Sequence, residues 1–217
     1  MRSFKAVVFT LLVLSATSVL ATDRASAIEG FLPQPKTGTL GGGMTTFSTI
    51  TKTAITCTKM DNSTITFEKD HHATGTLEFL GCKSLGVALN SLGSKKEEVF
   101  VKALVLVCLA AGKSLFGITI ETDEDLHLEI PALGVLLDVN GRAIGQILTA
   151  GKAEAFTVDF TGKEGKQEPS KCKDEEGVGK EQTLTLEQNH STKPEAASLN
   201  IEAGSLKFTG IVELMNA

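Results

Sequence analysis

The chain has 217 residues and a net charge of −5, with its lysines scattered along the sequence. This charge gives the protein no electrostatic reason to bind nucleic acid, and the length favours one domain with a sizeable core. Eleven Phe are present but no Trp and no Tyr, so the side chains that usually anchor sugar-binding and protein-binding surfaces are missing.

The amino terminus has the organisation of a secretory signal peptide. Arg2 and Lys5 precede a short apolar run, and small residues follow as far as Ala25-Ser26-Ala27. The run is shorter than the roughly 20 residues that a membrane-spanning helix needs, so a signal peptide over residues 1–27 is favoured over a permanent anchor. We expect cleavage after Ala27, with Val19-Leu20-Ala21 as the competing site, and a secreted or extracellular product with no integral membrane segment.

Residues 28–43 are predicted to form a flexible leading arm before a single all-β domain over residues 44–217. Pro33, Pro35 and the triplet Gly41-Gly42-Gly43 interrupt the arm, and such residues are typical of turns and loops. The triplet is not followed by Lys-Ser or Lys-Thr, so it does not match a phosphate-binding loop.

Three consecutive segments alternate apolar and polar residues with a period of two. They cover residues 54–58, 63–68 and 74–82, and they are rich in Thr. This pattern predicts a three-stranded antiparallel meander with a turn at Asp61-Asn62-Ser63 and one wet face.

Four cysteines follow the predicted cleavage site: Cys57, Cys82, Cys108 and Cys172. An even number in an exported chain favours disulfides over free thiols. Three pairings are available, and the sequence alone does not choose among them. We favour Cys57–Cys82, because the meander brings its first and third strands together, which leaves Cys108–Cys172. No C-x-x-C is present, so a zinc knuckle and a thioredoxin-type redox motif are excluded.

The rest of the chain contains further strand patterns and no long segment with a helical period. The Val-rich run over residues 98–111 is predicted to be a strand, buried on both faces from about Ala103, with a buried helix as the alternative. Asn140-Gly141 is the strongest hairpin signal. Residues 84–96 are predicted to be a loop whose leucines contact the core, and residues 161–181 a solvated loop. The remaining strands are predicted at 44–50, 115–121, 126–130, 133–138, 142–148, 156–160, 183–187, 199–202 and 205–214.

Together these segments predict an all-β fold, an antiparallel sandwich or barrel of about ten strands. Several short pieces span most of the chain: Ile55-Thr56-Cys57, Gly75-Thr76-Leu77, Gly81-Cys82, Cys108, Leu128-Glu129-Ile130-Pro131, Asn140-Gly141, and Gln167 before Cys172. In these pieces the chain resembles a group of uncharacterised secreted β-rich proteins of soil actinobacteria. The resemblance implies a secreted β-rich domain and no known activity.

Histidine is scarce, and its positions do not suggest a catalytic or metal site. His71 and His72 follow Asp70, but adjacent strand residues face opposite ways and a metal site would need a further ligand from elsewhere. His127 alternates with leucines and is predicted to face solvent, and His190 lies in a polar loop.

Other polar groups are better explained as solvated turns. Asp123 and Asp125 could in principle form the carboxylate pair of a glycosidase, and Asp174-Glu175-Glu176 could hold calcium weakly, but an EF-hand spacing is absent. Gly112-Lys113-Ser114 is not a phosphate-binding loop, because Val107 stands where that motif needs its first glycine.

We therefore expect a secreted protein without enzymatic activity or cofactor, which acts structurally or by binding at or beyond the cell envelope. The sequence identifies no partner; a cell-surface component and an apolar small molecule are the candidate classes. Two alternatives remain. A β-barrel could carry an apolar small molecule in its interior, and a secreted hydrolase could assemble its residues from distant loops.

Overall fold

The computed structural model describes residues 28–68, 72–94, 97–110, 116–149, 151–173, 178–189 and 193–216. The signal-peptide prediction, with Ala27, lies outside these residues. No helix in the described part is long and apolar enough to cross a membrane. The strands are β1 Ile28–Leu32, β2 Thr37–Gly42, β3 Thr45–Thr49, β4 Ala54–Cys57, β5 Lys59–Phe67, β6 His72–Leu80, β7 Lys83–Ser84, β8 Val87–Ala88, β9 Asn90–Ser91, β10 Glu98–Ala110, β11 Phe116–Thr122, β12 Leu126–Ile130, β13 Val135–Asn140, β14 Arg142–Ile147, β15 Gly151–Lys163, β16 Lys166–Glu168, β17 Lys171–Lys173, β18 Gly179–Glu181, β19 Thr185–Gln188 and β20 Glu195–Asn216.

Eight of these strands close into an antiparallel barrel. Around the barrel the order is β2, β5, β6, β10, β11, β14, β15 and β20, and β20 pairs again with β2. Closure leaves the barrel with no free sheet edge of its own. The all-β prediction is confirmed, and the closed ring matches its barrel alternative.

A second, curled sheet continues from one end of the barrel. Its order is β9, β12, β13, β19, β20, β3, β4, β7 and β8. The two end strands β8 and β9 are joined by Leu89, which is fully buried. The 22-residue strand β20 belongs to both sheets, so it connects the two halves of the domain.

An aromatic cluster and one face of strand β10 form part of the hydrophobic core. Phe31, Phe67, Phe156 and Phe208 meet beside the β1–β2 connection, with ring centroids 4.8 to 6.0 Å apart. Aromatic pairs of this kind each stabilise a core by about 0.5–1.5 kcal/mol beyond the area that they bury. The Val-rich strand β10 contributes five buried side chains on one face: Val99, Val101, Ala103, Val105 and Val107.

The flexible arm predicted for residues 28–43 is replaced by ordered strands. Within this segment β1 pairs with the end of β20, and β2 is a barrel strand. The glycines permit close packing rather than flexibility. A Cβ at Gly42 would lie 2.4 Å from Ile201 Cγ2, and a Cβ at Gly41 would lie 2.6 Å from Asn62 Oδ1.

The predicted meander is also corrected. Strands β5 and β6 form the expected hairpin, but β4 pairs with β3 and β7 instead of β5. Asp61 and Asn62 lie within β5, at an irregularity between Met60 and Ile65, and not in a turn. The chain leaves the second sheet at Thr58 and enters the barrel, which alternation along the sequence does not reveal.

Asn140-Gly141 is a corner between the two sheets and not a hairpin. Strand β13 pairs with β12 and β19, whereas β14 pairs with β11 and β15. The backbone N–H of Gly141 donates to Thr122 Oγ1 at 3.1 Å, and its carbonyl accepts from Thr122 N at 3.0 Å. Gly141 has φ +96 and a Cβ there would lie 2.3 Å from Thr183 O, so both conformation and space require glycine.

Two predicted loops contain strands. Residues 84–96 include the end of β7 and the short strands β8 and β9, and residues 161–181 include β16, β17 and β18. Leu89 is buried as expected, but Leu85 and Leu92 are exposed. The core contact predicted for these two leucines is therefore wrong.

Candidate binding face

The cysteines form two buried pairs. Cys57 Sγ lies 2.12 Å from Cys82 Sγ, and Cys108 Sγ lies 2.32 Å from Cys172 Sγ. These are the favoured pairings, and they are consistent with an oxidising environment. Cys57 and Cys82 come together because β7, which follows Cys82, pairs with β4.

The described histidines do not assemble with a nucleophile or a metal-ligand set. His127 lies opposite Asp138 on neighbouring strands, and its Nδ1 is 2.5 Å from Asp138 Oδ1. A carboxylate at Nδ1 orients the ring, but the histidine stands on an exposed sheet face. His72 begins β6. His71, His190, Asp70 and the residues 174–176 lie outside the described parts of the chain. Within those parts, no three His, Cys, Asp or Glu side chains are grouped as metal ligands.

The acidic turn after β11 is solvated, as its sequence suggests. Asp123, Glu124 and Asp125 are exposed. Both carboxylate oxygens of Glu124 accept a hydrogen bond from Lys102 Nζ at 2.9 Å, and this contact raises the pKa of Lys102. The arrangement is that of a surface ion pair, and it gives neither Asp123 nor Asp125 a catalytic partner.

The β3–β4 turn, residues 50–53, is an exposed but well-ordered feature of the second sheet. Thr49 N donates to Thr53 O at 2.9 Å, and Thr53 N donates to Thr49 Oγ1 at 3.1 Å. Lys52 N donates to Thr49 O at 3.1 Å, although Lys52 has φ +70, in the left-handed region. Such a backbone costs about 1–3 kcal/mol and persists only where its surroundings determine it.

Side chains attach this turn to β20. The hydroxyls of Thr49 and Thr51 lie 3.2 Å apart, and Thr51 Oγ1 donates to Glu195 Oε2 at 2.5 Å. Thr49 is fully buried. The turn is therefore held in one conformation while Ile50, 62% exposed, projects from it.

Three surface depressions adjoin the β3–β4 turn, and one residue of the turn lines each of them. The hairpin groove, about 480 Å³, includes Ile50 and is otherwise lined by β15, β16 and their connection. The disulfide groove, about 440 Å³, includes Lys52 and lies beside Cys57. The β19 groove, about 270 Å³, includes Thr53. We call the turn and these three grooves together the turn face.

A buried amide supports the floor of the hairpin groove. Gln167 is 2% exposed, its Nε2 donates to Leu199 O at 2.9 Å, and its Oε1 accepts from Leu199 N at 2.9 Å. The Gln167 side chain thus makes the two hydrogen bonds to the Leu199 backbone that a neighbouring strand would otherwise make. Gln167 N in turn donates to Gln182 Oε1 at 3.0 Å.

Two serines complete this support. Ser48 Oγ and Ser198 Oγ lie 3.1 Å apart. Ser48 Oγ accepts a hydrogen bond from Glu164 N at 3.1 Å, and Ser198 Oγ accepts one from Gly165 N at 3.2 Å. Across the described chain, every buried side-chain nitrogen and oxygen has a hydrogen-bond partner. A satisfied network of this kind rigidifies the elements that it joins, so the β15–β16 connection is fixed against β3 and β20.

The grooves differ in charge. Described residues lining the hairpin groove include two lysines and two glutamates, Lys163, Lys166, Glu164 and Glu168. The β19 groove is likewise balanced, with one lysine and one glutamate. The described lining of the disulfide groove contains two lysines and no acidic residue.

The sequence does not predict the turn face as a site. The local signal is the polar stretch Thr49-Ile50-Thr51-Lys52-Thr53, in which an isoleucine stands alone among turn-compatible residues. The grooves themselves depend on long-range contacts, such as that between Ser48 and Ser198, which are 150 residues apart. No family model, curated protein or solved structure matches this chain.

Proposed function

We propose that this protein is an exported, non-catalytic β-domain that acts at or beyond the cell envelope by binding another molecule through the turn face. The observation that carries the proposal is the convergence of three grooves on one pre-organised turn from which Ile50 projects. Pre-organised surfaces lose little conformational entropy on binding, and functional residues are often carried on loops held by a rigid scaffold.

Export is supported by two independent features. The basic, apolar and small-residue regions before Ile28 match a secretory signal, and the two cysteine pairs suit an oxidising compartment. The resemblance to secreted actinobacterial proteins agrees with this proposal.

Binding outside the barrel is favoured over carriage of an apolar ligand inside it. A carrier needs a lined cavity, and the contacts among Phe31, Phe67, Phe156 and Phe208 occupy core space that an enclosed apolar ligand would need. The three grooves of the turn face open on the outer surface instead.

A non-catalytic role is favoured over hydrolysis. All four cysteines are paired and therefore cannot act as nucleophiles. His127 has a carboxylate partner in Asp138, but it lines none of the three grooves of the turn face. No described contact favours the hydrolase alternative.

A pair of matched substitutions tests the proposal. Ile50 and Ile211 are 62% and 61% exposed, so aspartate at either position replaces an equally exposed side chain. Ile50→Asp should release the protein from large complexes when extracts of producing cells are separated by native size-exclusion chromatography, and Ile211→Asp should not. Equal elution of wild type and both variants, or loss of the complex only with Ile211→Asp, would contradict the proposal.

A further inference from the structure

We propose that the disulfide groove binds an acidic, apolar-containing segment of a partner protein. This inference rests on the proposed function and names the partner's chemistry. The segment would place carboxylates beside Lys52 and Lys83 and an apolar side chain against Leu85 and Met44.

The disulfide groove carries two lysines that lack a close carboxylate among the described residues. Lys52 forms no ion pair with any described residue, and Lys83 Nζ approaches Glu97 Oε1 only to 3.8 Å. Both lysine side chains are exposed. A protein with a net charge of −5 thus carries a groove whose described lining is only positively charged. Complementary potentials steer partners to such surfaces and suppress partners of the wrong charge.

Exposed apolar side chains lie at the rim of the disulfide groove. Leu85 is 83% exposed and Met44 43% exposed. Leu85 and Gly86 form the two-residue β7–β8 turn with φ +51 and +78, the geometry in which Asn or Gly is strongly preferred at the first position. Leucine there gains no burial and adopts an unfavourable backbone conformation, so folding alone does not explain it. Contact between Leu85 and an apolar side chain of the partner explains a leucine at this position.

The composition of the groove favours a peptide over a lipid or a nucleic acid. Thr56 and Thr58 line its floor. An acyl chain would cover the Thr56 hydroxyl without offering it a hydrogen bond, whereas a peptide backbone supplies donors and acceptors. No aromatic side chain is among the described lining residues, so bases would find no stacking platform.

The test uses short fluorescein-labelled peptides and the protein with both disulfides intact. The acidic probe contains Glu, Leu and Ser. A basic probe has Lys at each Glu position, and a polar probe has Ser at each Leu position. Fluorescence anisotropy should show the acidic probe binding at least about tenfold more tightly than either control, a difference of about 1.4 kcal/mol. Binding should weaken from about 0.05 to about 0.5 M salt, because exposed charges are screened.

Variants assign that binding to the groove. Lys52→Asn and Lys83→Gln should each weaken binding several-fold, and asparagine tolerates the left-handed backbone at position 52. Lys207→Gln, at an exposed lysine on the barrel, should have no effect. In NMR spectra, the acidic probe should shift the amide resonances of Thr56 and Leu85.

Three outcomes would overturn the inference: no binding of the acidic probe, equal binding of the basic probe, or displacement of the acidic probe by phosphatidylglycerol vesicles that themselves bind through the groove lysines. The proposed function is judged separately. If Ile50→Asp still releases the native complex while the acidic probe fails, the turn face binds a partner of different chemistry. If the acidic probe binds but Ile50→Asp releases nothing, the wider proposal fails.

Discussion

Replacing Gln167 by leucine should destabilise the domain more than any exposed Gln→Leu change. The amide of Gln167 makes two hydrogen bonds to the backbone of Leu199 and is almost fully buried. Leucine of similar size would leave Leu199 N–H and C=O without partners. Each lost bond is worth about 0.5–1.5 kcal/mol, and a buried group left unsatisfied costs about 1–3 kcal/mol.

The expected loss for Gln167→Leu is therefore about 2–5 kcal/mol, a large fraction of the stability of an ordinary domain. The matched control is Gln188→Leu, because Gln188 is exposed and its side chain makes no hydrogen bond to the described residues. Urea unfolding followed by circular dichroism gives both values, provided that the m-value stays unchanged. A difference below about 0.5 kcal/mol between the two variants would refute the view that this amide substitutes for a strand.

Three further outcomes are expected. Leu85→Asn should raise stability by about 0.5–1 kcal/mol while weakening the acidic probe, because asparagine suits the left-handed turn; a lower midpoint of thermal unfolding would contradict this. Replacing Cys108 and Cys172 together by Ala should lower stability by about 4 kcal/mol in the chain-entropy model for a separation of 64 residues, as urea unfolding can measure, and an unchanged midpoint would count against it. Protein recovered from culture medium should begin at Ile28 after cleavage following Ala27, and an intact mass that retains the apolar run would disprove this.

Local alternation is sufficient to predict the fold class, because a side-chain period of two reports which strand face is buried. It does not report which strands become neighbours. The hairpin predicted at Asn140-Gly141 is wrong, because Gly141 hydrogen-bonds to Thr122 and the flanking strands pair within different sheets. Likewise, the glycines before Met44 look flexible in the sequence but are required by contacts with Ile201 and Asn62.

The candidate site is less accessible to sequence reasoning than the fold. The hydrophobic character of Leu85 predicts a position in the core, but Leu85 lies in the two-residue β7–β8 turn and is exposed to solvent. The β3–β4 turn gains its importance from grooves built by β15, β16, β19 and the region of the Cys57–Cys82 pair. These elements are distant in sequence, so no local sequence pattern predicts that they lie close together.

Site-specific photo-crosslinking tests most directly whether the protein acts through the turn face. A benzophenone-bearing amino acid is placed at Ile50 in one variant and at Ile211 in another, two positions of nearly equal exposure. Both variants are irradiated on producing cells, and the adducts are separated by mass. We expect a discrete adduct from position 50 that disappears when Lys52 and Lys83 are also replaced, and none from position 211. Equal labelling from both positions, or a discrete adduct only from position 211, would contradict it.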